Sequence, residues 1–319
     1  MSTPAPLTFG PIPSRRLGAS LGVNNIPYKQ CSYSCVYCQL GPTQAASIGR
    51  REFYSPQCLR DAVAERLEAL SRKAVAVDWL SFVPDGEPTL DANLGVAIEA
   101  LKPLGVPVAV FTNASRLSLP EVREALMRAD CVSVKVDAVE EGAWRAINRP
   151  HPQLVLAEIL DGARAFAASY RGRLLTETML VAGINDGEAL LRANAAFIAR
   201  LTPAVAYLAT PTRPTAEGWA HPVDEACMAR AYAMYSERLP QVECLSGYEG
   251  NAFGVTGDAE TDLLGIMAVH PMRREGIEAV LAQSGADWTR VEALLARGEL
   301  IESPFEGRTY YVRRFAREG

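Results

Sequence analysis

A chain of 319 residues with 49% apolar and 22% charged positions has the composition of a folded globular protein, not of a disordered or fibrous one. Its length exceeds the usual single domain but suits one α/β barrel with a small appendage. The formal net charge of −5 excludes a surface that attracts nucleic acid as a whole, though not a local basic cleft, and seven cysteines are an odd count in a chain too long to need a disulfide framework.

The opening stretch MSTPAPLTFGPIPSRRLG has no apolar segment of the kind that directs export, and no later run reaches the roughly 18 uncharged apolar residues of a membrane span. A cytoplasmic protein with no membrane partner is expected. Short β-branched or apolar runs alternate with longer amphipathic stretches, the pattern of βα units around a parallel sheet. The first strand is predicted at 17–24, followed by a long cysteine-bearing loop and a helix over 55–73, where Ser55-Pro56 supplies an N-cap and a first-turn proline. Strand two at 79–83 leads to a helix over 90–101. After the break at Pro103 and Gly105, strand three at 106–111 precedes a helix over 119–127. Strand four at 132–136, helices over 140–147 and 154–169, strand five at 174–181, a helix over 187–201 and strand six at 205–209 complete the series. Six such units predict an α/β chain folded as a partial (β/α)6 barrel of TIM type, with reactive groups on loops leaving the C-terminal strand ends.

Residues 224–238 add a helix and 242–245 an edge strand. The barrel domain is read as 1–247, a linker as 248–258 and a small C-terminal domain as 259–319. That domain shows three short helices, over 259–268, 274–283 and 287–296, and then a hairpin of 300–302 with 309–312 around Phe305-Glu306-Gly307. Three helices and a wing form a winged-helix-like pattern. With eight Arg, no Lys and ten Asp plus Glu, it carries a net charge of −2, unlike a DNA-reading module, so DNA is not expected as a partner. Covering the barrel opening, docking a protein or peptide, and dimerisation are the roles read for it.

The loop after the first strand holds Cys31-Ser-Tyr-Ser-Cys35-Val-Tyr-Cys38, three thiols in so short a span that one loop can wrap a single cluster. Three thiolates leave one iron of a [4Fe-4S] cube open to an external ligand, whereas clusters used only for electron transfer are closed by a fourth cysteine. Zinc is the alternative, although zinc sites favour paired spacings with a fourth Cys or His in reach. Cys58, Cys131, Cys227 and Cys244 are isolated and read as small buried apolar side chains.

The C-x3-C-x-aromatic-C arrangement, with Tyr37 as its aromatic, resembles the signature of the radical S-adenosylmethionine (SAM) superfamily. Further motifs resemble the branch of that superfamily related to wyosine synthesis on tRNA. They are Gly10-Pro-Ile-Pro-Ser-Arg-Arg-Leu-Gly18, Asp85-Gly86-Glu87-Pro88-Thr89, Ile147-Asn148-Arg149-Pro150 and Thr210-Pro211-Thr212-Arg213-Pro214. The resemblance spans about residues 8–250. It implies a [4Fe-4S] cluster on Cys31, Cys35 and Cys38 and SAM bound at the open iron. The cofactor would be cleaved reductively with an electron from a flavodoxin- or ferredoxin-type donor, and a hydrogen atom abstracted from substrate. By the same resemblance, Gly86, Glu87 and Pro88 form the turn that receives the amino group of SAM, with Asp85 standing where the family has a further glycine.

Asn113 after strand three, and Lys135 and Asp137 at the end of strand four, share the predicted barrel rim as candidates for the carboxylate or ribose of SAM. Asn113 also suits a turn, and Lys135 could instead pair with Asp137. Arg149 and Arg213 are the arginines singled out for substrate, because both stand in the branch-like motifs and a guanidinium suits phosphate or carboxylate. The substrate expected is anionic, with RNA among the candidates. A peptide-modifying enzyme and a non-catalytic iron–sulfur sensor are the competing readings.

Overall fold

The computed structural model describes residues 6–246 and 253–314. An eight-stranded sheet runs in chain order: β1 (Thr8–Ser14), β2 (Gly18–Val23), β3 (Trp79–Phe82), β4 (Val108–Thr112), β5 (Cys131–Lys135), β6 (Arg173–Met179), β7 (Val205–Ala209) and β8 (Val242–Leu245). The first two strands form an antiparallel hairpin, and every later neighbour pairs in parallel. Parallel pairing requires long crossovers, which are supplied by α1 (Pro56–Ser71), α2 (Leu94–Leu101), α3 (Pro120–Leu126), α4 (Glu141–Asn148), α5 (Leu156–Ser169), α6 (Glu188–Leu201) and α7 (Glu225–Ser236). The edges β1 and β8 do not pair with each other, so the sheet curls without closing, as the expected partial barrel does.

Strand alternation divides the apolar residues into two sets. Val108, Val110, Val132, Val134 and Leu208 pack under the helices with Leu59, Ile98, Phe166 and Ile198. The intervening Ala109, Cys131, Leu175 and Tyr207 form a separate cluster on the other face of the strands. Both faces of the sheet are therefore covered, which explains why the strands read as nearly continuous apolar runs. Helix starts follow local chemistry: Ser55 Oγ accepts from Cys58 N at 3.1 Å ahead of Pro56, and Asp224 accepts from Cys227 N at 2.7 Å.

β1 was not foreseen. Its Gly10, Pro11 and Pro13 argue against a strand, yet it pairs with β2 on one side only and shifts register between Phe9 and Ile12, which is where prolines are tolerated in a sheet. The Gly10-Pro11 peptide bond is cis.

The C-terminal unit comprises α8 (Ala259–Val269), β9 (Met272–Arg273), α9 (Arg274–Ser284), α10 (Thr289–Ala296), β10 (Leu300–Phe305) and β11 (Arg308–Arg313). Its three strands are ordered β10-β11-β9, so a two-residue strand joins the expected hairpin. Leu263, Ile266, Ile277, Val280 and Leu294 form its core with Phe253 and Val255, two residues of the segment read as linker; the linker's 248–252 lie outside the described residues. Asp262 receives Arg66 of α1 at 2.8 Å, Tyr310 OH donates to Thr212 O at 2.8 Å, and Glu306 lies 3.2 Å from His221. The unit thus reaches from the β1 side of the sheet to the loop after β7. Among the described residues, no helix is long and apolar enough to cross a membrane.

Candidate functional site

The loops that leave β2, β3, β4 and β5 meet at one end of the sheet. The β2 loop carries Cys31, Cys35 and Cys38, all free thiols and half-buried. Its path is fixed from several directions. Ser34 N donates to Asn148 O (3.1 Å), Val36 N to Ile147 O (3.0 Å) and His151 N to Ser32 O (2.9 Å). The Ile147-Asn148-Arg149-Pro150 motif is therefore a backbone brace for the cysteine loop. Trp144 of α4 adds a hydrogen bond from Nε1 to Tyr33 OH, 3.3 Å, with the two rings edge to face.

Each of the three sulfurs accepts an N–H from a different segment. Asn113 Nδ2 lies 3.6 Å from Cys31 Sγ, Asn148 Nδ2 lies 3.4 Å from Cys35 Sγ, and Lys29 Nζ lies 3.3 Å from Cys38 Sγ. Donors aimed at sulfur favour the thiolate, whereas burial opposes it. Burial, with Cys35 next, raises the Cys31 thiol. Burial and then the Asp137 charge push Cys35 up to about 11. A bound cation offsets that cost and deprotonates a coordinating thiol.

The turn after β3 presses against this loop. Glu87 N donates to Gln30 O at 2.9 Å, and Lys29 N to Asp85 O at 2.8 Å. A Cβ on Gly86 would stand 2.0 Å from Gln30 O, so glycine is required here by the chain's own loop. Asp85 is fully buried and exchanges hydrogen bonds with Asn24: its N donates to Asn24 Oδ1, and its Oδ2 accepts from Nδ2, both at 3.1 Å. Burial raises its carboxyl to about 6 against the Asn24 bond.

Glu87 is buried too, and its carboxylate is committed internally. Oε1 accepts from Thr89 N (3.0 Å), Thr89 Oγ1 (2.6 Å) and Thr112 Oγ1 (2.7 Å), while Oε2 accepts from Asn113 N (2.7 Å). Burial raises its carboxyl while these bonds hold it down. Glu87 thereby fixes the β3 and β4 loops together, and Pro88 opens a short 3-10 turn over Pro88–Leu90 behind it. Asn113 is held in place by that carboxylate and donates to Ser32 Oγ at 3.0 Å as well as to Cys31.

Asp137, beyond β5, accepts from Tyr37 OH, from Asn148 Nδ2 at 2.7 Å and from Met179 N at 2.8 Å. Asn113, Lys135, Asp137 and Asn148 line one small cavity with Tyr33 and Trp144. Lys135 does not pair with Asp137. The parallel register sets it beside Glu177 of β6, whose Oε1 it meets at 2.9 Å while Arg16 holds the other oxygen. Its ammonium also lies 4.8 Å from the centre of the Tyr37 ring.

The two arginines singled out for substrate diverge. Arg149 is paired with Glu217 and sits over the Trp219 ring. Arg213 lies 3.4 Å from Gln39 Oε1 on the cysteine loop and 3.2 Å from Nε2 of the buried His270 in the C-terminal unit. Asn148, not singled out from the sequence, reaches a cysteine, whereas its neighbour Arg149 turns to Glu217 and Trp219. Lys29 was likewise missed. Only the position of Asn148 in a motif beside Arg149 could have signalled it.

The donor set fits a [4Fe-4S] cluster. Three half-buried thiols stand on one loop, each with an N–H donor, and the other four cysteines lie on α1, β5, α7 and β8. Among the described residues, no three His, Cys, Asp or Glu side chains gather around a single point as a mononuclear zinc requires. A cube takes one cysteine on each of three irons, which asks for no such convergence.

A family model described as the radical SAM superfamily matches residues 25–193. The UPF0026 protein of Methanocaldococcus jannaschii is 42% identical over 309 residues, covering 96% of each chain. Among solved structures, TYW1 with a lysine-pyruvate adduct bound aligns with a TM-score of 0.56 at 14% identity, covering 70% of this chain and 76% of that one. Streptococcus suis SuiB bound to S-adenosylmethionine aligns at 0.52 and 13% identity, covering 70% and 51%. At these identities the two structures speak to fold alone.

Proposed function

From the premise that this chain belongs to the radical SAM superfamily, and is thus an enzyme of that class, we propose that it cleaves SAM reductively and removes a hydrogen atom from an anionic substrate. Cys31, Cys35 and Cys38 are the residues that would hold a [4Fe-4S] cluster. When bound, the cluster supplies one low-potential electron to the SAM sulfonium, giving methionine and the adenosyl radical that attacks substrate.

The chain's own residues do the placing. The brace from 147–150 and the Gly86 contact fix the loop that carries the three thiols beside the loops after β3, β4 and β5. Gly86, Glu87 and Pro88 present backbone groups there for the amino end of SAM, with the Glu87 carboxylate holding the turn in shape. Asn113, Lys135 and Asp137 line the adjoining cavity and suit its carboxylate and ribose. The observation that carries this reading is the set of three N–H donors, each from a different segment, on three cysteine sulfurs.

An anionic substrate, of nucleotide or RNA type, is supported by Arg116, three positions beyond Asn113. Arg116 has a buried Nε with no hydrogen-bond partner. Burial, and then the nearby Arg50 charge, lowers its guanidinium below the ordinary arginine value. An anion beside Arg116 would give that nitrogen a partner and offset the Arg50 charge. A flavodoxin- or ferredoxin-type protein is the electron donor proposed.

The test is anaerobic reconstitution followed by incubation with labelled SAM and dithionite. Wild type is expected to hold four irons and release 5′-deoxyadenosine, and the Cys31→Ala, Cys35→Ala, Cys38→Ala triple variant to do neither. A wild-type chain that holds the cluster but releases no 5′-deoxyadenosine is a sensor, and the enzymatic reading fails.

A further inference from the structure

The three donors on the cysteine sulfurs differ in charge. Asn113 and Asn148 offer neutral amides, but Lys29 offers an ammonium, 3.3 Å from Cys38 Sγ and 2.5 Å from Gly41 O. The backbone of Lys29 is unusual. Its φ is +57°, in the left-handed region that non-glycine residues seldom adopt, and Lys29 N is tied there by Asp85 O at 2.8 Å. Strained backbone at a ligand-bearing loop is retained where the surrounding structure over-determines it. Here it aims a long side chain back over the loop: Nζ lies beside both Cys38 and the Gly41 carbonyl, tying the two ends of the segment from Lys29 to Gly41 together.

We infer that Lys29 is a positioning residue that raises the reduction potential of the cluster through Cys38. This rests on the cluster assignment proposed above. Reduction adds one electron, delivered by an external low-potential reductant, and makes the cluster and its thiolates more negative by one charge. A fixed ammonium against one ligand sulfur stabilises the reduced form more than the oxidised form, so it makes the electron easier to accept. Hydrogen bonds to sulfur and local charge are established determinants of cluster potential. The neutral amides on Cys31 and Cys35 act in the same direction with dipoles only, so Cys38 is the one of the three sulfurs with a cationic donor.

The experiment is a redox titration of the reconstituted full-length chain, followed by the electron paramagnetic resonance signal of the reduced cluster. It compares wild type, Lys29→Met, Lys29→Gln and Lys29→Arg, with iron and sulfide counted in each. Lys29→Met is expected to keep four irons and to be at least tenfold harder to reduce at a given potential, a shift of 59 mV for one electron. Lys29→Arg retains the charge and stays near wild type. Lys29→Gln, which keeps a donor without charge, falls between them. Equal midpoints in all four proteins overturn the inference, as does a Lys29→Met chain that loses iron while Lys29→Gln keeps both its iron and the wild-type midpoint, since a neutral donor then suffices. A wild-type chain that binds no [4Fe-4S] cluster sinks the cluster assignment itself, a result recognisable before any variant is compared.

Discussion

Asn148 Nδ2 lies 2.7 Å from Asp137 Oδ2, and the same nitrogen reaches Cys35 Sγ at 3.4 Å. One amide therefore couples the cysteine loop to the carboxylate at the end of β5. Replacing Asn148 with Ala removes a donor from a buried carboxylate, which costs about 1–3 kcal/mol. Urea unfolding of the apo-protein is expected to show that loss, and iron content after reconstitution to fall with it. Asn148→Asp sets a second carboxylate against Asp137 and should be worse on both measures; equal stability of the two variants would remove the coupling role.

Gly86→Ala tests the contact between the β3 turn and the cysteine loop. A methyl group there would lie 2.0 Å from Gln30 O, closer than any real contact, so one of two hydrogen-bonded backbones must move. A loss of more than about 2 kcal/mol is expected, in the range of overpacking and backbone strain. Isothermal titration with SAM on the reconstituted protein is expected to show weaker binding, since the shifted turn is the one assigned to the amino group.

Asp85 gives a pH signature with a definite sign. Its folded carboxyl titrates at about 6, raised by burial from an ordinary value of 3.8, so the native state holds the proton more tightly than the unfolded chain. Stability contributed by the protonated form is present below about pH 4 and is lost as pH rises to about 6, by on the order of 3 kcal/mol. Asp85→Asn keeps an acceptor for Asn24 and does not titrate. The stability difference between variant and wild type should grow from pH 4 to 6 and level off by pH 7, in urea titrations at each pH. A difference constant across that range would refute the assignment.

Tyr310→Phe separates the docking of the C-terminal unit from the stability of the barrel. The hydroxyl donates to Thr212 O at 2.8 Å and accepts from Arg273 Nε at 3.0 Å and Nη2 at 2.8 Å. Its removal leaves the carbonyl and a half-buried guanidinium without that partner, for about 1–2 kcal/mol. Amide exchange is expected to quicken over 272–313 and at 210–214 while β3 to β6 keep their protection.

The parallel strands and their helices were legible because both faces of the sheet are covered and the crossovers carry clear caps. β1 was not, since Pro11 and Pro13 mask a strand that bonds on one side only. β9 was too short to leave a pattern. Within the site, Cys31, Cys35, Cys38 and Gly86 stand out by spacing and residue type, and Asn113 and Asp137 by their place after a strand. Lys135 was legible as a charged rim residue but not in its partner: Glu177 faces it through the register of β5 and β6, which no local pattern encodes. Asn148 and Lys29 escaped because an amide near a helix end and a lysine in a loop usually mean a cap and a solvated charge. Their meaning lies in which sulfur they touch, a relation between segments far apart in sequence.

That distance has a consequence for how the protein is made. Asn113 serves a sulfur 82 positions earlier, and Asn148 one 113 positions earlier. On the ribosome the thiols emerge long before the groups that orient them. The cysteine loop is thus finished only after β4, β5 and α4 have been synthesised and have assembled, so that, on the cluster assignment proposed above, iron delivery would be a late event in the maturation of this chain.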